Sequence, residues 1–295
     1  MENKPIKSII VTGASGGIGK ATVIKLVESG YQVFGLARRY DKLTTISTKL
    51  SSTSSLSTEN KNWNYYIPIE CDITKPQRFD SILNEIFSKS KGTVLYGLVN
   101  NAGYVEPGAI EDITMQDIRN QFETNFFGLV EFTKKVLSFM LENNQGRIIN
   151  ISSVSGLISL PLIGAYSASK YALESITDAL KMELWNTNIK VITINPGLVN
   201  TDINTVSKPK LTSLIEKKPP SRFSEIYRKY VYNIPQGLPS DSVADIILKA
   251  ISSQKPKTRY IVGSRKLRIG IRMKKFIPDR LIFSQVAKRI HQKQY

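Results

Sequence analysis

A glycine-rich turn near the N-terminus constrains this chain more than any other feature of its sequence. The turn follows a predicted strand, residues 8–11, in which residues 9–11 are apolar, and precedes residues 18–29, which have the pattern of a helix. Glycines at such a junction let the backbone approach a pyrophosphate, which the helix N-terminus then stabilises. The turn predicts a dinucleotide site, and the alternative is a tight turn without a ligand. The residues predicted to contact the dinucleotide are Gly13, Ser15, Gly17, Ile18 and Gly19.

Beyond the turn, short β-rich runs alternate with helical stretches. This alternation predicts βαβ units and a three-layer α/β fold with a doubly wound parallel sheet of the Rossmann type. Several runs are continuously apolar, as expected for strands that are covered on both faces. The predicted strands after the first span residues 32–37, 64–70, 95–100, 147–152, 190–195 and 259–262. The predicted helices after the first span about 76–88, 114–142 in one or two pieces, 165–185 and 240–253.

We expect a single domain, residues 1–263, followed by a C-terminal extension, residues 264–295. Two segments interrupt the alternation. Residues 44–62 are rich in Ser and Thr, which predicts a long helix-to-strand connection or a flexible insertion. Residues 205–236 are basic, contain proline and are partly helical, which predicts a lid or substrate loop. The apolar side chains of this loop either cover a pocket or pack on the body of the protein.

The end of the second predicted strand distinguishes between two dinucleotides. An Asp or Glu at this position accepts hydrogen bonds from a ribose 2′-hydroxyl, whereas this chain has Arg38 and Arg39. An arginine pairs with a 2′-phosphate through charge-assisted hydrogen bonds. The two arginines therefore favour NADP(H) over NAD(H), and the alternative is that both are solvated surface residues.

Tyr166 and Lys170 are four residues apart in a predicted helix and therefore share one face. About one such pair is expected by chance in a chain of this composition, so the spacing alone carries little weight. Two further residues strengthen the interpretation of Tyr166 and Lys170 as a functional pair. Ser153 lies thirteen residues before Tyr166 at the end of a β-rich run, and Asn125 lies earlier still, in a predicted helix.

Together these motifs resemble the short-chain dehydrogenase/reductase family. The resemblance covers about residues 6–263, in matching order and spacing. Besides the glycine turn, it rests on Asp72, Asn100-Asn101-Ala102-Gly103, Asn125, Ser152-Ser153, Tyr166-Ser-Ala-Ser-Lys170, Pro196-Gly197 and Thr201. Through the loop and the extension, the chain loosely resembles one branch of the family, which includes hydroxysteroid and retinol dehydrogenases and acyl-dihydroxyacetone phosphate reductases.

The family resemblance implies hydride transfer between NADP(H) and an alcohol or carbonyl. Tyr166 would be the general acid/base at the substrate oxygen. Lys170 and the positive nicotinamide ring would lower the tyrosine pKa from its ordinary value of about 10, and Lys170 would also hydrogen-bond the nicotinamide ribose. Ser153 would hold the substrate oxygen and stabilise its developing charge. Asn125 would fix a water molecule in the proton relay.

The other matching residues would bind the cofactor. Asp72 would contact the adenine. Residues 100–103, among them Asn101, Ala102 and Gly103, would line the adenosine side of the cofactor and stabilise the central sheet. Pro196 and Gly197 would also bind the cofactor, and Thr201 after them would contact the nicotinamide carboxamide. Structural alternatives are that Asp72 caps a turn, that Asn125 bonds the helix backbone and that Thr201 is a helix N-cap.

Basic charge is concentrated at the C-terminus. The chain has 41 Lys and Arg against 24 Asp and Glu, a net charge of +17, and 13 of these basic residues lie within 255–295 beside the single acid Asp279. Ile282, Val286 and Ile290 recur every four residues there, which predicts an amphipathic helix over residues 279–290. An anionic membrane surface or nucleic acid would suit such charge, and a solvated basic surface is the alternative.

The single cysteine and the single histidine argue against several chemistries. Cys71 has no partner for an internal disulfide, which favours a reducing compartment. His291 lies near the C-terminus, so we expect neither a histidine-based triad nor a multi-histidine metal site. We find no secretory signal pattern and no run of about 18 apolar residues, and we expect a cytoplasmic protein, with any membrane contact being peripheral.

We therefore predict an NADP(H)-dependent oxidoreductase of a lipophilic alcohol or carbonyl, such as a steroid, a retinoid or an acyl lipid. The alternatives are a non-catalytic dinucleotide-binding protein recruited to membranes or partners by its basic tail, a nucleic-acid binder, and an epimerase or dehydratase of the same wider fold. We recognise no nucleic-acid module, and basic charge alone gives only sequence-independent affinity, so no specific nucleic acid is expected. The family resemblance also implies a homo-oligomer formed through the helices at 114–142 and 165–185.

Overall fold

Seven parallel strands form the central sheet of the protein. The computed structural model describes residues 6–52, 65–90, 92–201, 203–217, 219–232 and 236–291. The strands are β1 (Ile6–Thr12), β2 (Gln32–Ala37), β3 (Tyr66–Glu70), β4 (Thr93–Asn100), β5 (Gly146–Ile151), β6 (Ile189–Pro196), β7 (Val199–Asn200), β8 (Leu238–Pro239) and β9 (Arg259–Val262). The sheet order is β3-β2-β1-β4-β5-β6-β9, so strand order reverses between β1 and β4. β7 and β8 pair separately, which the sequence does not predict.

Helices cover both faces of this sheet. The α-helices are α1 (Gly17–Glu28), α2 (Tyr40–Ser52), α3 (Phe79–Lys89), α4 (Met115–Phe122), α5 (Gly128–Glu142), α6 (Gly164–Glu183), α7 (Ile203–Ile215), α8 (Ser224–Tyr232), α9 (Ser240–Ser252), α10 (Arg265–Met273) and α11 (Asp279–His291). One apolar cluster joins α1, α2 and α9 to the sheet, and a second joins α3, α5 and α6 to it. The prediction of a three-layer, doubly wound parallel α/β fold is confirmed.

The central strands are apolar because both of their faces are covered. Every residue of β2 and of β5 is buried, as parallel strands between two helical layers require. In one layer, the rings of Phe79 in α3 and Phe132 in α5 meet edge to face with centroids 5.0 Å apart. Burying a side chain of this size contributes about 1.5–3 kcal/mol, so such contacts hold the helices against the strand ends where the site lies.

The predicted connection over residues 44–62 is wrong for its first part, because α2 continues to Ser52. Leu43, Ile46 and Leu50 lie on one face of this helix and are buried in the core. That helical periodicity outweighs the Ser- and Thr-rich composition on which the prediction relied. Residues 53–62 of the segment lie outside the described residues.

Residues 205–236, predicted as a partly helical lid, contain most of α7 and all of α8, and we call these two helices the lid. The buried apolar side chains of the lid form a small cluster with two residues of the body: Leu211, Leu214, Ile226 and Tyr227 with Ala109 and Leu162. The Tyr227 hydroxyl also accepts a hydrogen bond from the Ala109 N–H at 2.8 Å and donates to Asp112 at 2.6 Å. Of the two alternatives for the loop, packing on the body describes these four side chains.

Two helical regions differ in detail from the sequence prediction. The helix expected over residues 114–142 consists of α4 and α5 with a π-helical turn, Glu123–Phe127, between them. The extension contains α11 as predicted, and also α10, which was not predicted. Among the helices of the described residues, none combines the length and apolarity that crossing a membrane requires.

Candidate active site

The glycine turn lies at the carboxyl ends of the strands, beside the point between β1 and β4 where strand order reverses. Gly13 and Gly17 have φ angles of +65° and +50°, which residues with a side chain rarely adopt. A Cβ atom on Gly19 would lie only 2.2 Å from the Gly13 carbonyl oxygen. The turn is therefore a backbone cradle at the N-terminus of α1, and it fits the pyrophosphate of a dinucleotide.

Thr12 and Asn101 hold the cradle in place. The Thr12 hydroxyl accepts hydrogen bonds from the N–H groups of Asn101 and Ala102, both at 3.0 Å. The Asn101 side-chain amide donates to the carbonyl oxygens of Thr12 at 3.0 Å and Gly13 at 3.1 Å. Asn101 and Ala102, predicted as cofactor residues, thus lie directly behind the turn. Sequence reasoning missed Thr12, although a hydroxyl immediately before the first glycine is the signal that identifies it.

The two predicted 2′-phosphate ligands flank the same turn. Arg39 Nη2 donates to Ser15 Oγ at 3.3 Å. The positive charge of Arg38 lowers the pKa of Tyr104, although burial dominates and raises that pKa to about 12. Arg38 therefore lies near the loop that follows β4. The Arg39 guanidinium therefore lies at the edge of the cradle.

Ser153 and Tyr166, thirteen residues apart in sequence, meet in the site. Ser153 Oγ accepts a hydrogen bond from the Ser155 N–H at 3.0 Å and lies 3.5 Å from the Pro196 carbonyl oxygen. These contacts arise because Ser153 caps the short 3₁₀ turn after β5. A hydrogen-bonding interaction with the Ser153 side chain lowers the pKa of Tyr166. The two hydroxyl groups can therefore converge on one substrate oxygen.

The pKa of Tyr166 is raised, not lowered, when only protein groups surround the side chain. Burial raises the Tyr166 pKa above its ordinary value, and the Ser153 interaction is the opposing influence. The ammonium of Lys170 lies 5.8 Å from the centroid of the tyrosine ring and donates a hydrogen bond to the Ile151 carbonyl oxygen at 2.8 Å. Lys170 is thus not among the groups that shift this pKa, and with protein groups alone Tyr166 is a neutral phenol. The lowering expected from Lys170 together with the positive nicotinamide ring stays a prediction.

Lys170 itself is strongly perturbed. Its residue is only 4% exposed, and burial lowers the pKa of Lys170 from 10.5 to about 8, while the carboxylate of Glu174 opposes this shift. An ammonium group with a pKa near 8 exchanges protons readily close to neutral pH. Lys170 can therefore pass a proton within the site.

This lowered pKa predicts a change of stability with pH. Between pH 8 and 10.5 the unfolded chain keeps the Lys170 proton that the folded chain has released, so the free energy of unfolding rises with pH by up to about 3 kcal/mol. We expect Lys170→Met to lack this contribution. The difference in unfolding free energy between wild type and Lys170→Met should therefore shift in favour of wild type as the pH rises from 8 to 10.

Denaturant titrations at several pH values measure this difference in unfolding free energy. The control is Lys134→Met, which replaces an exposed lysine. A difference that does not change with pH would contradict the assignment.

Asn125 lies in the π-helical turn between α4 and α5. Such turns often mark functional sites because they redirect a side chain from a helix. Asn125 Oδ1 accepts from the Tyr104 N–H, and Nδ2 donates to the Tyr104 carbonyl oxygen, both at 3.0 Å. The asparagine thus bonds the loop backbone, a variant of its structural alternative. A Cβ on Gly103 would lie 3.1 Å from Asn125 Oδ1 and 3.7 Å from Lys170 Nζ, so both groups face this loop.

Of the remaining predicted cofactor residues, Thr201 contacts the cradle, whereas Asp72 and Gly197 form hydrogen bonds to residues outside it. Asp72 Oδ1 accepts from the N–H and the hydroxyl of Thr74 at 3.0 and 2.8 Å, which matches its turn-capping alternative. Pro196 ends β6, and the N–H of Gly197 donates to the Val262 carbonyl oxygen at 2.8 Å. Thr201 lies over the turn, since a Cβ on Gly17 would be 2.9 Å from its methyl carbon.

A buried charged group behind Lys170 was missed by sequence reasoning. Glu174 follows Lys170 by one helical turn; its Oε1 accepts a hydrogen bond from Asn195 at 2.5 Å, and its Oε2 lies 2.7 Å from Arg259. These contacts join α6 to β6 and β9 beneath the site. The i,i+4 spacing from Lys170 to Glu174 was the available signal, but the arginine partner is distant in sequence.

The cradle, the neighbouring arginines and the group formed by Ser153, Tyr166 and Lys170 define the class: an α/β oxidoreductase that binds a nicotinamide dinucleotide. The family model described as short chain dehydrogenase matches residues 7–212. The chain therefore belongs to the short-chain dehydrogenase family. Within the described residues, no group of three or more His, Cys, Asp or Glu side chains is placed to hold a metal ion.

Individual relatives agree with this family. The NADPH-dependent 3-dehydrocapnine reductase of Ornithobacterium rhinotracheale is 33% identical over 278 residues, which are 92% of this chain and 93% of that protein. The 3-ketodihydrosphingosine reductase of Bacteroides thetaiotaomicron is 33% identical over 287 residues, 96% of each chain. A crystal structure of a short-chain dehydrogenase from Streptomyces avermitilis matches 99% of both chains with a TM-score of 0.74 and 25% identity. The resemblance to the hydroxysteroid and retinol dehydrogenase branch stays a prediction.

Proposed function

We propose that this protein is an NADP(H)-dependent oxidoreductase that interconverts a carbonyl and an alcohol on a lipophilic substrate. The observation that carries the proposal is the meeting of Ser153 and Tyr166 in one place, with Lys170 one helical turn away. A general acid, an oxyanion donor and a proton source are what reduction of a carbonyl requires.

Each of these side chains has a definite task in the reduction. A bound NADPH would supply the hydride to the carbonyl carbon. Tyr166, held neutral by burial, donates its hydroxyl proton to the carbonyl oxygen, and Ser153 donates a hydrogen bond to the same oxygen while negative charge develops there. Lys170, whose pKa is about 8, returns a proton toward the tyrosine. In the oxidation direction the same groups act in reverse.

The lipophilic substrate is supported by the segment between the two catalytic hydroxyl groups. Residues 154–165 contain no charged side chain and include Leu157, Ile158, Leu160, Leu162 and Ile163. Leu162 of this segment also belongs to the apolar cluster formed with the lid. A substrate lying over Ser153 and Tyr166 would therefore contact mainly hydrocarbon, which favours apolar molecules over sugars.

The preference for NADP(H) is supported by Arg38 and Arg39 beside the cradle. One relative is named as NADPH-dependent, which agrees with this preference. We also infer a homo-oligomer, in keeping with the family resemblance. Its support is a set of exposed apolar side chains on the π-helical turn and at the end of α6, namely Phe127, Met182 and Trp185.

A series of ketones of increasing chain length tests the substrate class. Each buried methylene group contributes about 0.8 kcal/mol, so kcat/KM for NADPH-dependent reduction should rise about fourfold per added methylene until the pocket is filled. NADPH oxidation followed at 340 nm measures the rates, with small polar ketoses as the control series. A flat series or a clear preference for ketoses would refute the lipophilic substrate and leave the Tyr166 chemistry intact.

A further inference from the structure

The C-terminal extension concentrates most of the excess charge of the protein. Residues 264–295 contain ten Lys and Arg and one acid, Asp279. None of these basic residues has a role in the proposed reaction. The described part of the extension consists of α10 and α11 with a short 3₁₀ turn between them.

One face of α10 is seated on the body of the protein. The Leu267 side chain packs so closely that a Cβ on Gly197 would lie 2.8 Å from it, and one on Gly263 would lie 2.5 Å from it. After α10, Lys274 Nζ donates to the Leu157 carbonyl oxygen at 2.9 Å and to the Tyr171 hydroxyl at 3.3 Å. The α10 helix and the turn after it are therefore held against the body, next to the segment that connects Ser153 to Tyr166.

The opposite face of α10 is basic and exposed. Arg265, Arg268 and Arg272 are spaced i, i+3 and i+7, so they form one stripe along the helix, and all three are exposed. Ile269 lies among them and lines the same shallow depression. Ile269 is 49% exposed and Met273 is 46% exposed, which places apolar side chains directly beside the arginines.

The second helix, α11, also exposes both apolar and basic side chains. Leu281 is 57% exposed and Phe283 is 61% exposed. Arg280 and Lys288 are exposed on the same helix. Large apolar side chains that are exposed together with Lys and Arg are typical of helices that lie in a membrane interface.

We propose that the exposed faces of α10 and α11, which we call the basic face, bind the surface of a bilayer that contains anionic lipids. The arginine stripe complements the phosphate groups of such lipids, and Ile269, Met273, Leu281 and Phe283 enter the region between headgroups and acyl chains. A second copy of this chain would present the same positive charge and be repelled. A nucleic acid would satisfy the arginines but would leave the aliphatic side chains in water. The proposal concerns attachment alone and does not depend on the reaction.

Vesicle binding by the full chain tests this proposal. Phosphatidylcholine vesicles with and without phosphatidylglycerol are sedimented with the protein, and we expect binding only to the vesicles with phosphatidylglycerol, weakening as salt is raised. The variant Arg265→Gln/Arg268→Gln/Arg272→Gln should bind at least tenfold more weakly, since each basic residue near an anionic surface contributes severalfold to affinity. The variant Leu281→Ser/Phe283→Ser should also bind more weakly, and its loss should persist at low salt.

A control of equal charge separates the basic face from total charge. Lys89→Gln/Lys134→Gln/Lys249→Gln removes three exposed lysines from α3, α5 and α9, and this control should bind the vesicles nearly as wild type does. Equal weakening in the control, or no binding to phosphatidylglycerol vesicles, would overturn the proposal. Binding to a single-stranded RNA probe that depends on the three arginines, without vesicle binding, would assign the basic face to nucleic acid instead. Thermal unfolding midpoints close to wild type confirm that each variant is folded.

Discussion

Tyr166→Phe should lower kcat/KM for NADPH-dependent carbonyl reduction by about 10²–10⁴-fold, the range typical for loss of a general acid. The substitution removes only the hydroxyl group, because the phenylalanine ring fills the same space in α6. Burial keeps Tyr166 protonated, so in wild type its proton is available to the carbonyl oxygen at neutral pH. Without it, the developing oxyanion has the Ser153 hydroxyl but no proton donor. Steady-state rates at saturating NADPH measure the loss.

Two controls make this result specific. Tyr232→Phe removes a phenolic hydroxyl from the end of the lid, where the side chain is 81% exposed, and its rate should stay within about twofold of wild type. NADPH binding to Tyr166→Phe, followed by fluorescence titration, should remain close to wild type because the cradle is untouched. A Tyr166→Phe enzyme with full activity would refute the mechanism, whereas loss of NADPH binding would show that the tyrosine acts through the cofactor.

The sheet and its helical layers could be predicted because each strand carries its own signal. A strand buried on both faces is mostly apolar, and runs such as Val191-Ile-Thr-Ile194 show this independently of the rest of the chain. The cradle was predictable for a similar reason. At Gly13 and Gly19 the backbone geometry excludes a Cβ atom. Only glycine fits there, so the residue type itself indicates the turn.

The parts that were not predictable depend on contacts between distant residues. The Ser- and Thr-rich composition of residues 44–62 predicted a connection. The first part of that segment is instead helical in α2, where Leu43, Ile46 and Leu50 at helical spacing pack into the core. The Glu174–Arg259 ion pair joins residues 85 positions apart, and no local sequence pattern predicts this pairing. The pKa of Tyr166 is likewise set by burial in the assembled site, which spacing alone does not encode.

Arg38→Ala/Arg39→Ala should lower kcat/KM for NADPH by about 10²-fold or more and lower that for NADH only modestly. Hydrogen bonds to a charged group contribute about 1.5–3 kcal/mol each, and only NADPH carries the 2′-phosphate that two arginines would meet. The structure places Arg39 Nη2 3.3 Å from Ser15 Oγ of the cradle, and Arg38 precedes it directly after the end of β2. The ratio of kcat/KM values for the two cofactors is the measurement, since it cancels effects common to both.

The control for this ratio is Lys42→Ala, which removes one exposed positive charge from α2, a few residues beyond the arginines. If the arginines acted only by a general electrostatic attraction of dinucleotides, kcat/KM would fall for both cofactors, and the ratio would change little in the arginine variant and in the control alike. Direct contact with the 2′-phosphate predicts that the ratio of kcat/KM for NADPH to that for NADH falls strongly only in the arginine variant. The single variant Arg39→Ala measures a second contribution of Arg39 to cofactor binding. The hydrogen bond from Arg39 to Ser15 supports the cradle, which both cofactors would use. We therefore expect Arg39→Ala to weaken NADH modestly as well, and equal losses for NADH and NADPH in the double variant would remove the case for a 2′-phosphate site.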